Sequence, residues 1–336
     1  MNEPRRHHYI PQFYLRRFAD QQGHVRMIRR STGKSVKSSV TNAAVTTGFY
    51  DVEAETGLPR DSFEAALGDV EGEAAQALKR VDERTWPPSD YDRATVAMFM
   101  GLQMVRTPEH RFMFEEMADV QLKSNLTVIT RDEVADILVK AGEDPSEENI
   151  DEHLAAIRQT DEYTLTMGQG FMWGVLLGDV APRLAMVLSE GYDWHLMESD
   201  RRVLATSDHP VLPWKSQPER FLGMGVVNAD AIVLPIDSKK LLLLTSERHG
   251  VSLRFPLSRA QARETNGYLV AHSNEWVFHD PRITAPFNPD ELTPQTRPTF
   301  VINNEEVREP GEAWNVISDL FYKTQYAYFG HPTEEE

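Results

Sequence analysis

EYTLTMGQGFMWGVLLGDVAPRLAMVLSEGYDWHLMESDRRVLATS, residues 162–207, is where the chain changes period. Up to Glu190 the apolar residues recur at helical spacing and predict a long helix over 162–189. Gly170, Gly174 and Gly178 fall at i, i+4 and i+8, a ridge that lets another backbone approach closely, so this helix is expected to be central and buried. After Gly191 the texture turns to strands at 194–197, 203–207, 231–234 and 241–245, separated by Pro, Gly, Asp and Ser clusters.

Upstream, 24–30 and 34–40 flank the turn triplet Ser31-Thr32-Gly33 and read as a hairpin, with 49–52 as a further strand. Helical patterns follow at 61–81, at 91–106 behind the N-cap Ser89, and from Pro108 toward 126. Thr130 with Glu133 three residues on is a capping box that opens an acidic helical arm over 131–162, broken at 142–145. The last helices are expected at 258–273 and 312–329. Strands at both ends, helices between and no strand-helix alternation define an α+β class, with a mixed or antiparallel sheet from the N-terminal and later strands. On this reading residues 1–336 are a single domain, 61–190 a helical block inserted in it, and 330–336 a disordered acidic tail.

The formal net charge is −17, yet residues 1–50 carry nine Lys/Arg against Glu3 and Asp20, a balance of +7 that leaves −24 for the rest. A basic patch on an acidic body attracts an anion locally and repels it elsewhere. The absence of cysteine excludes disulfides, thiolate zinc sites and a cysteine nucleophile, so chemistry has to come from His, carboxylates, Ser or Arg. No apolar run follows Arg5-Arg6, and the most apolar stretch, 171–178, is eight residues against the roughly 20 a spanning helix needs. No membrane span and a cytoplasmic address are expected.

The patch centres on Arg5-Arg6-His7-His8-Tyr9-Ile10-Pro11-Gln12-Phe13-Tyr14-Leu15-Arg16-Arg17-Phe18. Pro11 suits a helix start, which puts Gln12 and Arg16 one turn apart on one face. His7 and His8 alternate in extended structure, so one of them at most faces a given ligand. Two distant stretches offer partners. Gln103 and Arg106 close a helix before Thr107-Pro108, and Asp208 in Thr206-Ser207-Asp208-His209-Pro210 ends a strand, where it is either a turn former or a carboxylate that orients a histidine. Glu64 and Glu71 share a helix face, with a solvated role favoured; two carboxylates and a histidine would still suffice for Mg or Mn. The sequence has no His-Glu-x-x-His and no glycine-rich phosphate loop, and Asp144-Pro-Ser-Glu-Glu-Asn lacks the glycine of an EF-hand loop.

The run His7-His8-Tyr9-x-Pro11-Gln12-Phe13-Tyr14-Leu15-x-x-Phe18 is similar to the opening signature of a widespread, mainly bacterial family, domain of unknown function 4238. Gln103-x-x-Arg106-Thr107-Pro108, Thr206-Ser207-Asp208-x-Pro210-Val211 and Leu234-Pro235-Ile236-Asp237 resemble further marks of that family. The resemblance implies a single α+β domain of bacterial type and carries no activity.

Two functions are therefore expected in competition. The first is a hydrolase acting on a phosphate-containing substrate, a nuclease or phosphodiesterase. His7 or His8 would be its general acid/base and Asp208 the orienting or metal-binding carboxylate, while Arg6, Arg16 and Arg106 neutralise phosphoryl charge beside Tyr9, Gln12 and Gln103. Its substrate would be a short or single-stranded RNA or a nucleotide, because the basic surface is too small for duplex DNA. The second is a non-catalytic binding or regulatory protein that uses the N-terminal His/Arg/aromatic segment as a recognition surface. Catalysis requires His7 or His8, Arg106 and Asp208 to meet in one cleft.

Overall fold

The computed structural model describes residues 6–52, 59, 61–83, 86–160, 162–216, 225–289 and 292. Strands and one short helix come first: β1 (Arg6–His8), α1 (Gln12–Arg16), β2 (His24–Arg29), β3 (Ser35–Ser39) and β4 (Val45–Thr47). The helical block follows as α2 (Ser62–Asp82), α3 (Asp90–Val105), α4 (Pro108–Thr127), α5 (Arg131–Ala141), α6 (Glu147–Arg158), α7 (Gln169–Val175) and α8 (Ala181–Glu190). The chain then returns to β5 (Asp193–Glu198), β6 (Thr206–Ser207), β7 (Leu212–Trp214), β8 (Ala231–Pro235), β9 (Lys240–Thr245), β10 (Arg254–Pro256), α9 (Arg259–His272) and β11 (Trp276–His279). The expected helix at 312–329 and the tail at 330–336 lie outside the described residues.

The class is α+β. The N-terminal hairpin shares a four-stranded sheet, order β3-β2-β11-β6, with two late strands, and β10-β5-β9-β8-β7 form a second sheet. All neighbours are antiparallel except β10 and β5, so the second sheet is mixed. Alternation sends Ile232 and Leu234 of β8 and Leu242 and Leu244 of β9 into one large core with α1, α3, α8, Trp173 and Trp194. The predicted caps form: the side chains of Ser89, Thr130 and Ser258 accept the N–H of Asp92, Glu133 and Gln261.

Residues 49–52 are not a strand. Gly48 takes φ +66°, which ends β4 and turns Phe49 and Tyr50 inward, where their rings stand 5.1 and 5.0 Å from that of Trp173. The long helix also begins later than its periodicity predicts, at Gln169, because Leu165 N–H is taken by the Asp119 carboxylate at 2.6 Å. A π-helical turn, Leu176–Val180, joins α7 to α8. The close approach expected at the glycine ridge occurs elsewhere: a Cβ at Gly174 or Gly178 would meet nothing within 4 Å, whereas one at Gly101 in α3 would lie 2.5 Å from the Ala181 carbonyl oxygen. α3 and α8 cross at Gly101, and Gly174 and Gly178 are exposed.

Gln169–Glu190 is long and apolar enough, by length and composition, to cross a membrane, a test its eight-residue apolar centre alone does not meet. In this fold Met172, Trp173, Leu176, Leu184 and Leu188 are buried in the core, and Asp179 pairs with Arg183 at 2.8 Å on the exposed side.

Candidate functional site

β1 decides what the two histidines do. His7 points inward and is 2% exposed; its Nδ1 accepts the Tyr50 N–H at 2.9 Å, which leaves the proton on Nε2, 3.7 Å from the Asp51 carboxylate. His8 points the other way and donates from Nε2 to the Thr41 carbonyl at 3.3 Å. Burial, ahead of all other influences, holds His8 below the ordinary histidine pKa. Both rings tie backbone together.

Arg106 is 1% exposed and caps the end of α3. Its Nη1 lies 2.8 Å from the Glu71 carboxylate and its Nε donates to the Tyr9 carbonyl at 3.2 Å. The Gln103 side chain, oriented with its amide oxygen toward the guanidinium, accepts from Nε at 2.6 Å and Nη2 at 3.1 Å. Arg6 and Arg16 are exposed and bonded to Asn42 and Gln12. Glu71 is therefore no solvated face residue, and Glu64 beside it is half-buried, its carboxyl raised first by burial and then by Glu71. Among the described residues no three His, Asp or Glu side chains are placed to hold a metal ion, so the Mg or Mn considered from Glu64, Glu71 and a histidine has no ligand set there.

Asp208 is 2% exposed at the end of β6. One carboxylate oxygen accepts the N–H of Asn274 at 2.8 Å; the other accepts those of Glu275 at 2.6 Å and Trp276 at 2.8 Å. Burial pushes its pKa up to about 6, against the pull of these amides. Each member of the expected His/Arg/Asp constellation has a bonded partner: His7 is bonded to Tyr50, Arg106 to Glu71 and Asp208 to the strand start at 274–276, while His8, bonded to the Thr41 carbonyl, feels the charges of Glu71 and Arg106.

Asp208 does meet one predicted residue. Tyr9, Thr46, Pro108, Glu109, Asp208 and Glu275 wall a cavity of about 340 Å³, with Asn274 beside them. Tyr9 is 6% exposed, and burial followed by the charges of Asp208 and Glu275 keeps its phenol protonated far above the usual range. Glu275 is held from behind by Arg29 and by Ser31 Oγ at 2.9 Å. Asn274 Nδ2 is buried without a hydrogen-bond partner among the described residues. Asn274, Glu275 and Glu109 belong to no motif and were invisible to sequence reasoning; the amide knot on Asp208 selects the first two. Among the described residues the lining carries three carboxylates and no Lys or Arg.

The four short strings singled out in the sequence are bonded to one another. Arg106 reaches Tyr9, Tyr14 Oη lies 2.7 Å from Thr206 Oγ1 and donates to the Pro235 carbonyl at 2.6 Å, and Arg17 donates to the Ile236 carbonyl at 2.5 Å. Arg17 also grips Asp82 of α2 with two bonds of 2.9 Å. Fold and cavity together define an α+β protein whose N-terminal strand and helix clamp two sheets to a helical block around a small carboxylate-lined site. A family model described as protein of unknown function (DUF4238) matches residues 6–282, and the chain belongs to that family. No curated protein and no solved structure matches it significantly.

Beside the cavity, His110 at the start of α4 and His209 stack edge to face at 5.7 Å. Burial drives His110 down to about 3 and His209 to about 4, both below the ordinary 6.5. A histidine with a depressed folded pKa stabilises fully above pH 6.5 and loses that contribution as pH falls; Asp208, raised, acts in the opposite sense between about pH 4 and 6. Urea unfolding of the His110→Gln/His209→Gln variant at pH 4.5, 5.5 and 6.5 should show the acid loss of stability reduced by up to about 2.7 kcal/mol per pH unit, two protons' worth. An unchanged slope would mean that both rings are already protonated in the native state.

Proposed function

We propose that the protein binds a small ligand in the cavity between Tyr9, Asp208 and Glu275, a ligand rich in hydrogen-bond donors and carrying an amine. The observation that carries this reading is the lining itself. Carboxylates of Glu109, Asp208 and Glu275 surround the space, and among the described residues Asn274 Nδ2, in its lining, is a buried donor without a hydrogen-bond partner that asks for a single acceptor. A phosphate would meet three acids there, while the arginines expected to receive it are bonded to Glu71, Asn42 and Gln12. The phosphodiesterase reading is correspondingly weaker. Binding by the N-terminal segment as a surface is weaker too, since Tyr9, Tyr14 and Phe18 are 6%, 0% and 0% exposed. The segment contributes Tyr9 to a cavity instead.

Calorimetry with glucosamine, spermidine, glucose and AMP is the test. Amines should bind and AMP should not, and Glu275→Gln should weaken the amine at least about tenfold, the scale of one charge-assisted hydrogen bond. Binding of AMP in preference to amines would sink the proposal. Cleavage of RNA or a nucleotide that His8→Ala abolished would return the protein to the hydrolases.

A further inference from the structure

A second opening lies elsewhere, as a notch of about 840 Å³ between the second sheet and α9. Its floor follows from strand alternation. Ile232 and Leu234 face the main core, so Val233 of β8 and Leu243 of β9 face the opposite side, and both remain only half-buried. α9 covers the sheet on either side of them: Ala262 packs with Leu241 and Met197, and Leu269 packs with Leu212. Between those two contacts the helix presents Gly267, where an added Cβ would meet nothing within 4 Å. Glycine in a helix interior is less favourable than alanine, and no close packing at Gly267 offsets it. Trp214, 39% exposed, stands as a side wall, and Tyr268 closes one end through a 2.5 Å bond to the Pro213 carbonyl.

The rim is acidic. Asp230 accepts from Ser216 N–H at 2.8 Å and Ser216 Oγ at 2.6 Å, bonds that hold its carboxyl below the usual range and keep it charged. Glu264 and Glu247 also line the opening. A half-buried apolar floor, an exposed indole and the carboxylates of Asp230, Glu247 and Glu264, with Lys215 near the first and His249 beside the second, are complementary to one chemistry. We propose that the notch binds a small amphiphilic cation, an aromatic body seated on Val233 and Leu243 beside Trp214 with an ammonium or guanidinium group at the Asp230–Glu264 rim. The indole adds cation–π attraction for such a head group. The volume falls within the range of small-molecule sites, roughly 300–1,000 Å³. This site is separate from the Tyr9 cavity and does not rest on the function proposed for it.

Three indoles that differ in charge test the assignment on the full chain, followed by NMR titration. Tryptamine should bind, tryptophol should bind about tenfold more weakly, and indole-3-acetate should not bind in the same concentration range. Glu264→Gln should weaken tryptamine several-fold and leave tryptophol unchanged, a charge effect that misfolding could not produce. Gly267→Phe, which fills the notch, should abolish tryptamine binding with the urea midpoint retained. Equal binding of the three indoles, no binding of tryptamine at 10 mM, about the weakest interaction such a site would show, or full binding by a folded Gly267→Phe protein would each overturn it.

Discussion

Asp208→Ala is expected to destabilise the protein by about 3 kcal/mol or more at pH 7, because it leaves three buried N–H groups without an acceptor at about 1–3 kcal/mol each. An opposing effect has to be weighed. A folded pKa of about 6 against an ordinary 3.8 means that keeping this carboxylate ionised costs the native state roughly 3 kcal/mol, which alanine relieves. At the middle of that range, about 2 kcal/mol each, the three amides lose about 6 kcal/mol against a relief of about 3, so a loss of about 3 kcal/mol remains. The sign of the pH dependence follows. A raised pKa contributes stability that is present in acid and lost as pH rises toward 6, so wild type is helped by this group at pH 5 and not at pH 7. The deficit of Asp208→Ala should therefore be about 1–1.5 kcal/mol larger at pH 5 than at pH 7. Urea unfolding at the two pH values measures it. A variant within 1 kcal/mol of wild type at both would mean that the strand start at 274–276 does not depend on Asp208.

Arg106→Leu should cost about 3–5 kcal/mol, the range for breaking a buried ion pair from one side. Its guanidinium is 1% exposed and satisfies Glu71, Gln103 and the Tyr9 carbonyl together, so removal strands two buried acceptors and a carboxylate. The double variant Glu71→Leu/Arg106→Leu should recover part of the loss, because two apolar side chains replace the pair without leaving a lone charge. Additivity of the two single losses in chemical unfolding would argue that the pair is not coupled. If Arg106 were a free phosphate ligand, the single variant would instead lose binding and keep its stability.

These outcomes bear on what the chain discloses before it folds. Ser89, Thr130 and Ser258 announced their helices because a cap is a local event, settled within four residues. The hairpin around Ser31-Thr32-Gly33 was legible for the same reason, but β11, four residues long, was not: Trp276–His279 becomes a strand only by lying between β2 and β6. The glycines at 174 and 178 carried a pattern that no neighbouring backbone meets, while Gly101, with no pattern, met the Ala181 carbonyl. For the site, His7, His8 and Arg106 looked like reagents because imidazole and guanidinium are the groups that react. Whether such a group is free depends on a backbone amide or a carboxylate tens of residues away. Glu71 and Tyr50 supply those partners here. Tyr9 and Asp208 were legible individually; the cavity between them was not.

The clamp formed by Tyr14 sets an order of events during synthesis. Its hydroxyl bonds to residues 192 and 221 positions further along the chain. At translation speeds of about 5–20 residues per second, roughly 10–40 s pass between emergence of the segment around Tyr14 and emergence of both partners. Throughout that interval Tyr9, Phe13 and Tyr14 can meet only the earlier part of their core, Phe49 and Phe99, and not the sheets that close over them. The segment that locks the finished molecule is made among the first and closed among the last.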